Sequence, residues 1–303
     1  MVVKAEKKIP SSYLKANVKL EEEVEMKARQ INRLPRKVKA EVKQRVIAAL
    51  QPQMPPTLTG IPCVVDLRND RLICGALSDS QMDFFGCAFK ETCDSVPIAI
   101  TPDTAALKRK QINARDLDPV QFTTDDTIEP PHEGSLGMDF LTWLWFNWDT
   151  GSATFHLPDG REAGYMVEGP ITFFSEGQGA HEAVLRKGMP LDSREASTAL
   201  ICGKKLSRAK FVFAVDDKVT EASVDSDFCF RSVKLPKEEQ EETEGIFEER
   251  MLAIETFTDG WFKLYDQFLD LRTDPNKWQE TLSKMQEWLQ HIGNARHELD
   301  ERP

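Results

Sequence analysis

The sequence reads as an α+β protein. Helical periodicity fills the first fifty residues, it returns over the last sixty, and hairpin and strand signals crowd the stretch between. Residues 11–31 predict the first helix: Pro10 opens it, Ser11 or Ser12 can cap it, and Leu, Glu, Lys and Ala dominate it. Pro35 breaks the chain, and 36–50 predict a second helix with Val38, Val42, Val46 and Leu50 four apart on one stripe. At about 100° per residue, Arg36, Lys39 and Lys43 fall together on a neighbouring face. Pro52, Pro55 and Pro56 then predict a stiff loop running to Gly60, with Met54, Pro55 and Leu58 at its apolar tip.

A hairpin follows, Ile61–Leu67 and Arg71–Ala76 around the turn Arg68-Asn-Asp70. Ser78 or Ser80 caps a helix reaching about Cys93, with Met82, Phe84, Phe85 and Phe89 directed at a core. Val96–Thr101 reads as a strand and 102–135 as a polar, irregular connection. Phe140–Trp148 holds three of the six tryptophans and is apolar on every side, the mark of a core-anchoring helix. Ala153–Leu157 and Glu162–Glu168 flank the turn Pro158-Asp-Gly160, and Ile171–Ser175 continues the strand texture. A helix over Ser193–Cys202 leads to the strands Ala209–Val215, Thr220–Val224 and Phe228–Val233. After the acidic stretch Lys237–Glu244, Ile246–Leu271 carries Phe247, Met251, Ile254, Phe257, Trp261, Leu264, Phe268 and Leu271 at helical spacing. Pro275 starts a last helix with Trp278, Leu282, Met285 and Leu289 on one side. Four segments are expected: a basic helical arm at 1–60, a small α+β domain at 61–135, a β-rich domain at 136–236 and C-terminal helices at 237–303.

Composition narrows the chemistry. With 40% hydrophobic and 29% charged residues over 303, the chain is ordinary for a globular protein. Phe140–Phe146, its longest apolar run, is far short of the roughly 20 residues a bilayer span needs. A charged opening shows no secretory signal, so a cytoplasmic protein with no membrane partner is expected. The six cysteines (63, 74, 87, 93, 202 and 229) contain no C-x-x-C pair and read as buried, reduced thiols, and the histidines are scattered, so neither a metal nor a cofactor is expected. His181-Glu182 lacks the second histidine of a zinc-protease motif, and Gly177-Gln-Gly179 lacks the third glycine of a dinucleotide loop. Asp66, Asp125, Asp126 and Glu129 are the carboxylates a metal-dependent nuclease would use. Glu25-Met-Lys27 and Glu41-Val-Lys43 resemble half of a nuclease element but lie on predicted helices. The sequence is a poor candidate for an enzyme.

Charge is unevenly spread. Residues 1–50 carry thirteen basic and six acidic side chains, a net +7, so the remainder carries −18 within a total of −11. Such asymmetry points to an arm that meets a polyanion, and a helix with a solvated basic face would look the same. Several blocks, in order, resemble the RdgC family of bacterial recombination-associated DNA-binding proteins. They are Ile9-Pro-Ser-Ser12 with Lys37–Leu50, Leu50-Gln-Pro52, Val64-Val-Asp66, Leu72–Ala76, Ser78–Asp83 and Val96–Pro102. Phe140-Leu-Thr-Trp-Leu-Trp145, Ala199–Lys204 with Arg208, Asp225–Phe228 and Val233-Lys-Leu235 continue the match nearly end to end.

The resemblance implies an α+β fold and a homodimer, half of which this chain would supply, closing a ring with a basic inner surface around double-stranded DNA. It implies binding with little sequence preference, association with the nucleoid, and limited access of RecA to DNA. Pro55 and Leu58 stand where family members carry aromatic residues, and the segment before the charged helix is shorter, as in an N-terminally shortened relative. Phosphate contact is expected from Arg36, Lys37, Lys39, Lys43 and Arg45, and secondarily from Lys204, Lys205 and Arg208. A nuclease, or a protein-interaction subunit working through the C-terminal helices without DNA, are the alternatives.

Overall fold

A computed structural model of the chain describes residues 2–125, 127–128, 131, 134–175 and 181–298. The fold is α+β. Its contacts divide it into two compact units, Met1–Ile98 and Ala99–Pro303, rather than the four expected segments. The regrouping follows from where apolar surface is buried. The basic arm shares a unit with the hairpin after it, and the C-terminal helices share one core with the β-rich region.

In the first unit, β1 (Val2–Glu6), which the sequence did not announce, pairs antiparallel with β2 (Thr57–Ile61) inside the stretch expected to be loop. Between them run α1 (Ser11–Arg29) and α2 (Arg36–Leu50). The expected serine cap of α1 is not made. Pro10 occupies the cap position and has no side-chain acceptor, and both serines fall in the first turn. α2 buries Val42 and Val46, with Val38 and Leu50 half-buried, as the four-residue spacing predicts. Then come β3 (Cys63–Asp66) and β4 (Arg71–Cys74), an antiparallel hairpin, and α3 (Asp79–Cys93), whose first turn is capped by the Ser78 hydroxyl accepting from the Gln81 N–H. Ile61, Ala76 and Phe85 form the buried cluster here, with Phe84 and Phe89 packed against it. Met82, expected inside, is exposed.

Val96–Thr101, which spans the boundary between the units, is no strand. Thr101 instead caps α4 (Pro102–Lys110), a helix that begins where an irregular connection was expected. Thr101 and Thr104 exchange side-chain and backbone bonds, and Pro102 takes the first helical position, where its missing N–H costs nothing. α5 (Leu136–Asp149) follows, then β5 (Thr154–His156), β6 (Glu162–Phe174), β7 (Glu182–Leu185), α6 (Arg194–Ile201), β8 (Lys205–Val215), β9 (Lys218–Asp225), β10 (Phe230–Lys234), α7 (Thr243–Arg272) and α8 (Pro275–Glu298).

The strands form one antiparallel sheet in the order β10-β9-β8-β6-β5. β7 shares the β5 edge of β6, taking its last residues while β5 takes the first. α5 and α7 lay aromatic rings on this sheet: Trp261 meets Phe140 and Phe211 at 5.2 Å between ring centres, and Phe257 meets Phe213 at 4.8 Å. Edge-to-face geometry recurs through the cluster, adding to its area term. Buried phenols are satisfied, Tyr165 donating to the Leu144 carbonyl and Tyr265 to that of Pro102, both at 2.9 Å. α5 approaches so closely that a Cβ on Gly137 would lie 1.8 Å from the Ser226 carbonyl oxygen. Among the described residues no helix is long and apolar enough to cross a membrane.

Candidate nucleic-acid interface

α2 is the most basic element of the first unit, with Arg36, Lys37, Lys39, Lys43 and Arg45 against the single acid Glu41. Its buried stripe decides what these cations do. At about 100° per residue, Lys39 and Arg45 fall on opposite flanks of the Val42/Val46 stripe. There they reach α1. The Lys39 ammonium sits 3.3 Å from a Glu22 carboxylate oxygen, and the Arg45 guanidinium 3.1 Å from Glu25 and 3.5 Å from Glu21. Glu25 also accepts from Arg29 at 2.7 Å, and the hydrogen bonds from Arg29 and Arg45 hold its carboxyl below the usual range.

Arg36 and Lys43 lie beyond Lys39 on the same flank, farther from the stripe, and Lys37 lies on the face opposite it. All three are exposed, and among the described residues they make no ion pair. Two of five expected phosphate contacts are therefore engaged by glutamates of α1, and three present their charge to solvent. Of the acidic residues that set this division, Glu21 and Glu22 were not singled out from sequence, and Glu25 was read only as half of a nuclease-like element. The signal was there in the run Glu21-Glu22-Glu23-Val-Glu25, on a helix that must turn one face to its basic neighbour.

The secondary cluster divides as well. Lys205, expected at a DNA surface, is buried: its ammonium donates to Asp139 at 2.6 Å and lies 5.5 Å from the centre of the Phe122 ring. β8 begins at this residue with its side chain turned toward α5, where the next backbone N–H, that of Leu206, also donates to Thr142 Oγ1. Burial pushes the Asp139 carboxyl up, and Lys205, with Arg272 beyond it, pulls it back. Lys205 is a structural counter-ion rather than a phosphate contact. Arg208 is exposed but lies 3.6 Å from Asp225, which also faces Arg231 at 3.3 Å and accepts the N–H groups of Asp227 and Cys229. Lys204 is half-buried just past α6.

The expected loop tip is also redrawn. Met54 is half-buried at the end of a short 3₁₀ turn, Pro55 is exposed, and Leu58 belongs to β2, opposite Ala5 and 68% exposed.

Of the nuclease carboxylates, Asp66 and Asp125 hold turns. Asp66 accepts from the Asn69 side chain at 2.7 Å and the Arg68 N–H at 2.9 Å; Asp125 accepts from the Thr127 hydroxyl and N–H. These bonds keep both carboxyls below their usual range. Asp126 and Glu129, like His132, Gly177 and Gly179, lie outside the described residues. Among the described residues no three His, Cys, Asp or Glu side chains converge to hold a metal ion. The cysteines, expected inside, are exposed at 87, 93 and 202 and half-buried at 63, 74 and 229. As for a partner surface on the C-terminal helices, α7 and α8 put Phe257, Trp261, Phe268, Trp278, Met285 and Leu289 into the unit's own core. Compared with known protein families and with curated proteins, the chain matches none of them.

Proposed function

We propose that this chain binds double-stranded DNA without sequence preference, using the cations that α2 turns to solvent. On the same reading it acts as a nucleoid-associated homodimer that modulates RecA-dependent recombination. One observation carries the proposal: Arg36, Lys37 and Lys43 stand exposed on one helix and make no ion pair among the described residues, while Lys39 and Arg45 fasten that helix to α1. Cations spaced along a rigid helix suit a phosphate backbone, which is recognised by charge and not by base edges. The ordered blocks resembling RdgC proteins point the same way. A local positive face can act against a net charge of −11 because screening confines each field to about 8 Å in physiological salt.

The test is a titration of unrelated labelled duplexes across a salt series. Each phosphate neutralised contributes about −0.9 to the slope of log K against log salt, so three cations per chain give roughly −3. Replacing Arg36, Lys37 and Lys43 together by Glu should weaken every duplex alike and flatten that slope. A salt-independent affinity, or strong preference for one duplex, would remove the proposal.

A further inference from the structure

The β3–β4 hairpin places two cysteines face to face. Cys63 is the register partner of Cys74, and the rung just outside them is held by the Gly75 N–H donating to the Pro62 carbonyl at 2.9 Å. Hydrogen-bonded and non-hydrogen-bonded rungs alternate along an antiparallel ladder, so the Cys63–Cys74 rung is non-hydrogen-bonded, the kind in which Cα atoms approach to about 4.5 Å and side chains stand closest. A disulfide needs Cα atoms roughly 4.4–6.8 Å apart, so the pair can close without moving the backbone. Both side chains lie on the face that packs against Ile61, Ala76 and Phe85, and both are half-buried, shielded yet reachable. The coupling is already felt: burial raises the Cys74 thiol, and Cys63 beside it raises it further. Cys87 and Cys93, by contrast, are six residues apart on α3, which puts them about 120° apart around the helix.

We propose that Cys63 and Cys74 form a redox-active cross-strand dithiol that hydrogen peroxide converts to a disulfide. One thiolate attacks a peroxide oxygen, the O–O bond breaks, and the sulfur becomes a sulfenic acid as hydroxide leaves and is protonated to water. The second thiolate attacks that sulfur, the S–S bond forms, the S–O bond breaks, and a second water departs. Two thiols lose two electrons and the peroxide gains them; a small-molecule dithiol reverses the change. The closed form ties together a two-stranded hairpin with four residues per strand, which is marginal alone. Oxidation should therefore raise the unfolding midpoint of the first unit.

The experiment treats the full reduced chain with hydrogen peroxide, alkylates what remains, and maps the digest without reduction. A loss of two hydrogens with a Cys63–Cys74 linked peptide, and with Cys87, Cys93, Cys202 and Cys229 alkylated, is the expected result. The loss should vanish in Cys63→Ser and in Cys74→Ser, and persist when the other four cysteines are Ser. Phenylarsine oxide, whose trivalent arsenic bridges two close thiolates, should bind the untreated protein one to one and fail to bind either single variant. Sulfenic or sulfinic acid on these residues without a crosslink, a crosslink to a different cysteine, or no arsenical binding by the native protein would each overturn the proposal. The mapping and arsenical binding on the native chain decide it even if a serine variant folds poorly.

Discussion

The two units of this chain are built by different means. In the first, the buried apolar residues are Leu34, Val42, Val46, Ile61, Ala76 and Phe85, none of α1 is fully buried, and the sheets have two strands each. The second packs two long helices and the apolar α5 with a six-stranded sheet, and it contains all six tryptophans. Hydrophobic burial at roughly 25 cal/mol per Å² dominates the second unit. The first relies more on helix, turn and hairpin order and on surface ion pairs, each worth little. The difference shows where charge is free to act. A deep core recruits ions as internal counter-charges, as it does Lys205, and a thin one leaves cations such as Arg36 and Lys43 in water.

That contrast can be broken most severely at Trp261, which is fully buried among Phe140, Phe211 and Phe228. Trp261→Ala should cost about 3–5 kcal/mol and shift the denaturant transition followed by tryptophan emission. Emission reports the second unit because every tryptophan belongs to it. Lys205→Ala should cost a similar 3–5 kcal/mol by leaving the Asp139 carboxylate buried without its counter-ion. Adding Asp139→Asn should recover much of that loss, and a double variant no more stable than the single would show that the charge pair is not what matters.

The smallest effect belongs to the first unit and to pH. Hydrogen bonds from Arg29 and Arg45 hold the Glu25 carboxyl below its ordinary value of 4.5. The unfolded chain thus binds more protons between the two values, so this group's stabilisation is present above about 4.5 and fades as pH falls through the lower, folded value. Helical ellipticity of the wild type should weaken on acidification through that window, and Glu25→Gln should blunt the change. The same substitution removes the shorter of Arg45's two ion pairs, leaving Glu21 at 3.5 Å, and on the proposed function should tighten DNA binding modestly at low salt. Tightening absent in a filter or anisotropy titration would mean that Arg45 does not reach the nucleic acid.

Much of the secondary structure was legible because local rules govern it. The Val38-Val42-Val46-Leu50 spacing marked α2, Ser78 and Ser193 marked helix starts, and the apolar run after residue 140 marked the core helix. β1 escaped because a five-residue strand of the composition Val-Val-Lys-Ala-Glu has no alternation to betray it; it exists through its partner, fifty-five residues away. α4 escaped although Thr101-Pro102 is a helix start, since only its burial of Ala105 and Ala106 makes nine polar-leaning residues hold as a helix. The candidate site was legible in residue type alone. Five basic residues on α2 could be read from the chain, but which of them face solvent depends on where α1 lays its glutamates.

The order of residues by itself determined the α+β class, the excess of positive charge in the opening segment and the helices that carry it, because propensity, capping and periodicity act over a few neighbours. The partition of that charge was decided only in three dimensions. Whether a lysine meets water, a glutamate or a buried aspartate is set by chain segments as far apart as 139 and 205, and electrostatic energy depends on distance and burial, not on position along the chain.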